Sequence, residues 1–225
     1  MTNKIQTYLL TLFFLVFSLI SSANAEVKVV TSIKPIHSLV SYIMDGVGKP
    51  DVIVDGYNSP HGFSLKPSHA KMLENADLVI WVGEDLETFL EKPLNTIAKK
   101  AKTIEIMDLK EIKKLAFREK NIFEGHEEHD DHKEHNDHKE HDDHKEKDGH
   151  EGHAHGEHDP HVWFDPINAK LIIKEVTKQL VQLDAKNSSV YKSNSKKALA
   201  EIDNLIQNIQ KDIGKDLRFV VFHDA

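Results

Sequence analysis

The 225-residue sequence contains no cysteine. Disulfide bonds and thiolate zinc sites are therefore excluded within the chain, as is a lipid-modified cysteine at a cleavage site. A second long apolar run is also missing, since after the first 20 residues nothing approaches the roughly 20 apolar residues that a membrane helix needs. No basic stripe interleaved with aromatic residues is present either, so the sequence indicates no nucleic-acid partner.

The amino-terminal residues have the order of a secretory signal peptide. Lys4 precedes an apolar run over residues 8–20, and a small-residue A-x-A site lies directly before Glu26. We predict that residues 1–25 are a signal peptide that is cleaved there. The apolar run is too short to span a bilayer, which disfavours a membrane anchor. A cysteine-free chain with such a signal is expected to be a soluble protein of the bacterial periplasm.

Histidine is abundant and concentrated, with twelve of the sixteen histidines between residues 126 and 161. Residues 124–158 also hold fourteen acidic residues against four lysines. Since almost no apolar side chain could offset the entropy of ordering, we predict disorder over residues 122–158. The repeat HDDHKE places histidine at every third position, which drifts around a helix axis and favours a flexible multidentate loop. Its histidines are predicted to be accessory, weaker metal ligands: His126, His129, His132, His135, His138, His141, His144, His150, His153, His155 and His158.

Short apolar strands alternate with helices in the rest of the chain. Strands are predicted over residues 27–31, 51–54, 78–82 and 103–106, and helices over residues 35–46, 67–75, 86–98, 166–183 and 188–213. This alternation is typical of an α/β domain with a mostly parallel sheet flanked by helices.

The last predicted strand, over residues 218–222, has no later element to pair with. We therefore expect a truncated precursor in which the second of two lobes is cut off. Its parts would be an amino-terminal α/β metal-binding lobe over residues 26–186, a long linker helix over 187–214, and the first strand of the second lobe over 215–225.

Three histidines stand apart from the repeat. His61 lies in SPHGF after the second predicted strand, His161 lies in DPHVWFDP before a helix, and His223 directly follows the strand RFVVF. Each lies where a strand or connector meets a loop, which is where open α/β sheets place their ligands. His37 and His69 fall within predicted helices and are interpreted as structural or surface residues.

Four motifs together resemble one known family: SPHGFSLKPS (59–68), ENADLVIWVGEDLETFL (74–90), HDPHVWFDPINA (158–169) and FVVFHDA (219–225). The sequence is similar to the cluster 9 solute-binding proteins, the periplasmic metal-binding proteins of bacterial ABC importers, and most similar to their zinc-binding branch. The resemblance implies two α/β lobes joined by one long helix, with a metal buried between them. It also implies that His61 and His161 are ligands from the first lobe and that His223 is a ligand from the second.

The resemblance also bears on the choice of metal. Manganese-binding members place a carboxylate at the position of His223, whereas three imidazoles suit Zn²⁺. The implied function is capture of Zn(II), as the transported ligand, and its delivery to a zinc ABC permease in the inner membrane by a monomeric protein. Two alternatives stay open. The same fold could deliver manganese or another divalent metal, or the His-rich segment could itself be the whole function, in a metal-buffering protein.

A zinc hydrolase is a further class that the sequence disfavours. Such an enzyme needs an open metal position and a general base, which the motif H-E-x-x-H supplies. In the two nearest stretches, HEEH (126–129) and HEGH (150–153), the second histidine comes one residue too early. We therefore predict no catalytic residues and no enzymatic activity.

Overall fold

The computed structural model describes residues 26–116 and 157–213. The predicted signal peptide, the His-rich segment up to residue 156, and the predicted strand with His223 lie outside these residues. Across both described ranges, no helix combines the length and the apolar character that a bilayer span requires.

A four-stranded parallel sheet forms the centre of the described domain. Its strands are Val29–Ile33 (β1), Asp51–Val54 (β2), Leu78–Trp81 (β3) and Lys102–Glu105 (β4). They are ordered β2-β1-β3-β4, and every neighbouring pair is parallel. Every residue of β1 and β3 is buried, as expected for apolar strands covered on both faces. The predicted α/β class with a mostly parallel sheet is therefore confirmed.

Five α-helices lie within the described residues: Lys34–Met44 (α1), Pro67–Glu74 (α2), Thr88–Thr96 (α3), Pro166–Leu183 (α4) and Ser188–Asp212 (α5). Proline stands in the first turn of α1, α2 and α4, where its missing N–H breaks no helical hydrogen bond. The helices α1, α4 and α5 pack on one another.

Apolar residues at helical spacing join these helices to the sheet. In α4, Ile172, Val176 and Leu180 recur every fourth residue and are completely buried. In α1, Ile36 and Val40 form the matching buried stripe. The carboxyl-terminal half of α5 differs, because Leu205 and Ile209 are exposed there. Its role as a linker between two lobes stays a prediction.

A two-stranded antiparallel ladder brings the ends of the His-rich segment together. Leu115–Ala116 (β5) pairs with His158–Asp159 (β6), with Leu115 opposite Asp159 and Ala116 opposite His158. The sequence analysis predicts neither strand, because two residues are too few to show an alternating pattern. His158, the last residue of the segment expected to be disordered, is thus part of a strand.

The turn between β3 and α3 is closed by a buried carboxylate. The helix predicted over residues 86–98 begins only at Thr88, because Leu86 and Glu87 form a turn in which both amides donate to the carbonyl oxygen of Gly83. Glu87 Oε2 accepts a hydrogen bond from the amide of Val82 at 2.8 Å. Glu87 is completely buried, and this burial raises the pKa of its carboxyl to about 7.

We expect Glu87→Gln to change how stability depends on pH. A carboxyl whose pKa is higher in the folded state binds more protons when folded, so stability falls as pH rises from about 4.5 to about 7. Urea denaturation across this range should show that this carboxyl costs the wild type up to about 3 kcal/mol. The Glu87→Gln variant should lack this pH-dependent loss of stability. A difference between the two proteins that is constant with pH would contradict the expectation.

Candidate metal centre

His61 lies in the loop between β2 and α2, at the carboxyl edge of the sheet. The loop begins at Asp55, whose Oδ1 accepts a hydrogen bond from the amide of Gly56 at 2.6 Å and lies 3.2 Å from Lys34 Nζ. The Gly56 amide and the Lys34 ammonium together lower the pKa of the Asp55 carboxyl. The amide of His61 donates to Ser59 Oγ at 3.2 Å. Local hydrogen bonds therefore shape the loop on the side that precedes His61.

The residues after His61 fold back onto the domain. Gly62 has a φ of +82°, which is the left-handed conformation that favours glycine. Phe63 then packs against Phe89, with 5.2 Å between ring centroids, and against His69 at 5.6 Å. Because Phe89 belongs to α3, this contact ties the His61 loop to the neighbouring part of the sheet edge.

His69 caps the first turn of α2, in keeping with its interpretation as a structural residue. Its Nδ1 accepts a hydrogen bond from the amide of Lys66 at 3.1 Å, and its own amide donates to the carbonyl oxygen of Lys66 at 2.9 Å. Burial lowers the pKa of the imidazole, which favours the neutral ring that can accept this bond.

His161 lies directly before the short 3₁₀ turn Val162–Phe164, which leads into α4. Its amide donates to Asp159 Oδ1 at 2.9 Å, and its ring Nδ1 lies 2.7 Å from the same oxygen. A neutral imidazole nitrogen that approaches a carboxylate this closely does so as a donor, so Nδ1 carries a proton. The other ring nitrogen, Nε2, is then the atom suited to bind a metal.

Aromatic rings flank His161. Trp163 lies 5.2 Å away between ring centroids, and Phe164 lies 6.2 Å away in a nearly parallel orientation, with 16° between the ring planes. These contacts restrict the plane in which the His161 imidazole can lie.

Asn168 is a site residue that the sequence analysis misses. Its Nδ2 donates to the carbonyl oxygens of Lys113 at 2.9 Å and Val162 at 3.0 Å, and its Oδ1 accepts from the amide of Lys113 at 2.9 Å. The side chain therefore ties the His161 turn to the chain before β5. The sequence holds one signal that Asn168 is buried, which is its position four residues before Ile172 on the buried stripe of α4.

The structure brings His61 and His161 together, with 5.5 Å between their ring centroids and 42° between their planes. A zinc-bound imidazole nitrogen lies about 2.0–2.1 Å from the metal, which places the ring centre about 3.2 Å away. Two rings bound to one tetrahedral ion are then about 5 Å apart. The observed separation fits two imidazoles that share one metal ion.

The described residues supply two of the three predicted ligands. His223 lies outside them, as do all the predicted accessory ligands except His158. Within residues 26–116 and 157–213, no group of three or more metal-binding side chains comes together. The two imidazoles are thus the part of the candidate centre that the structure describes.

Comparisons with known proteins give one consistent family. The family model of the zinc-uptake complex component A, periplasmic (ZnuA), matches residues 29–225. The high-affinity zinc uptake system protein ZnuA of Brucella abortus (strain 2308) is 43% identical over 234 residues, covering 100% of this chain and 70% of that relative. The protein of the same name from Yersinia pestis is 33% identical and covers 89% of this chain, which spans 61% of that relative.

Solved structures of metal-binding proteins share the fold. The Mn-bound periplasmic metal binding protein from Candidatus Liberibacter asiaticus gives a TM-score of 0.60 at 22% identity, covering 82% of this chain and 56% of its own. Zn(II)-bound AdcA from Streptococcus pneumoniae gives a TM-score of 0.59 at 16% identity. The match covers 83% of this chain and 32% of AdcA. At these identities the likeness shows the fold alone. The chain spans little more than half the length of the first of these proteins.

Replacing His69 should loosen the loop that carries His61. His69→Ala removes the acceptor for the Lys66 amide, which costs about 0.5–2 kcal/mol of stability, and it also removes the ring that packs on Phe63. His69→Asn is the matched control, because its Oδ1 can accept the same hydrogen bond without the ring. Urea denaturation should find the Asn variant more stable than the Ala variant. Equal losses would show that ring packing, and not the cap, is responsible.

Proposed function

We propose that this chain, which belongs to the family of periplasmic zinc-uptake components, binds one Zn²⁺ ion through His61, His161 and His223. The observation that supports this most directly is the 5.5 Å separation of the His61 and His161 ring centroids. The two residues are far apart in sequence and belong to different loops, so their meeting depends on the tertiary fold. Family membership confirms the predicted family, and it supports zinc as the bound metal.

The donor set favours zinc over manganese. Three imidazoles provide the nitrogen-rich environment that Zn²⁺ prefers, whereas Mn²⁺ prefers more oxygen ligands. A fourth position would be filled by water or by a carboxylate. His161 is well suited to its part, because the contact between its Nδ1 and Asp159 directs Nε2 to the metal.

Capture and delivery require no covalent chemistry. In this proposal the chain is exported by its signal peptide, cleaved before Glu26, and binds zinc in the periplasm as a monomer. The loaded protein then docks on an ABC permease in the inner membrane, which receives the ion. The role is that of a solute-binding protein and not of an enzyme.

The His-rich segment would be an accessory to this site. Its excess of acidic residues attracts cations and raises their local concentration. The ladder of β5 and β6 places both ends of the segment beside Asp159, two residues before His161. Metal released from the segment would therefore be set free close to the proposed site.

Calorimetric zinc titration of single variants tests the ligand assignment. His61→Ala and His161→Ala should each weaken the tight site by more than the roughly 10- to 100-fold that loss of an outer-shell partner costs. His37→Ala is the control, because His37 contacts the carbonyl oxygen of Pro50 and is no predicted ligand. Tight zinc binding that survives His61→Ala would show that the assignment is wrong.

Deleting residues 124–156, which leaves the β5–β6 ladder in place, separates delivery from buffering. One tight site that survives the deletion is the result expected for a delivery protein with an accessory segment. Loss of all zinc binding would instead show that the segment is the site and the protein a buffer. A parallel manganese titration should show weaker binding at the tight site, and a preference for manganese would favour the other branch of the family.

A further inference from the structure

We propose that Asp159 is a positioning residue that holds His161 in the tautomer and orientation that present Nε2 to the metal. The proposal rests on the zinc site proposed above. Its basis is a single carboxylate oxygen, Asp159 Oδ1, which accepts from the His161 amide at 2.9 Å and contacts the His161 ring Nδ1 at 2.7 Å.

Both side chains are largely shielded from water. The His161 side chain is 9% exposed and the Asp159 side chain 15% exposed. A charge-assisted hydrogen bond in such surroundings competes little with solvent and is stronger than the same bond at the surface. It therefore stabilises the Nδ1–H tautomer of His161 against the Nε2–H tautomer.

The main chain that carries Asp159 is itself held in place. Asp159 lies in β6 opposite Leu115, and Asn168 ties the neighbouring Lys113 to Val162, which follows His161. The ladder thus holds the backbone of Asp159, and Asn168 holds the turn that follows His161. The imidazole is oriented before metal arrives, which lowers the entropy lost on binding.

Asp165 provides a natural comparison within the same segment. Its Oδ1 also accepts a hydrogen bond from the amide two residues later, that of Ile167 at 2.8 Å, and so caps α4. Asp159 and Asp165 therefore share the turn hydrogen bond, and Asp159 makes the contact with the His161 ring in addition. Ser59 shows that serine can make the same turn, because its Oγ accepts from the amide of His61 at 3.2 Å.

Asp159→Ser therefore keeps the turn hydrogen bond and removes the carboxylate that reaches the ring, while Asp165→Ser is the matched control. Nitrogen-15 NMR of metal-free, histidine-labelled protein reports the tautomer, with the His161 signals identified by their loss in His161→Gln. The wild type and Asp165→Ser should show His161 protonated at Nδ1. Asp159→Ser should shift the ring towards the Nε2–H form and weaken tight zinc binding by about 10- to 100-fold.

Several results would overturn the proposal. They are an Nε2–H ring in the wild type, an unchanged tautomer in Asp159→Ser, or a changed tautomer with unchanged zinc affinity. The wild-type spectrum is decisive even if a variant fails to fold. If His161→Ala abolishes tight binding and Asp159→Ser does not weaken it, only the positioning role is wrong. If His161→Ala leaves tight binding intact, the proposed zinc site itself fails.

Discussion

Parallel strand pairing is the constraint on which the candidate metal centre depends. Because each crossover returns the chain to the start of the next strand, all carboxyl ends of the sheet lie at one edge. The His61 loop leaves β2 at this edge, and the turn closed by Glu87 leaves β3 there. The contact between Phe63 and Phe89 joins the two connections. The His161 turn reaches the same place because it leads into α4, whose apolar stripe packs into the core.

Three buried polar side chains around the centre form hydrogen bonds with the backbone. Glu87, His69 and Asn168 are buried, and each forms hydrogen bonds with main-chain groups of a turn or loop. A buried polar side chain that satisfies main-chain groups fixes a loop without requiring regular secondary structure. These side chains thereby help to determine where the imidazoles of His61 and His161 lie. We infer that the geometry of the centre is largely set before metal binds.

Much of the fold could be predicted because its signals are local. The apolar runs that form β1 and β3 and the four-residue spacing in α4 are visible in a short stretch of sequence. The start of α3 could not be predicted, since it depends on the hydrogen bond between the Glu87 carboxylate and the amide of Val82. Sequence motifs predict His61 and His161 as ligands, but their approach to 5.5 Å arises from packing between distant parts of the chain. The bridge formed by Asn168 is non-local in the same way.

The ladder of β5 and β6 joins the His-rich segment to the α/β domain. About 40 residues lie between the two strands, yet closing a loop of that length costs only about 0.6 kcal/mol more than closing one half as long. The length and composition of the segment can therefore change at little cost to the domain. Asp159 belongs to the ladder and also contacts His161, so the ladder helps to fix this proposed ligand whatever the length of the segment. Two residue pairs, too short to be recognised in the sequence, thus connect the His-rich segment to the domain beside His161, the proposed ligand.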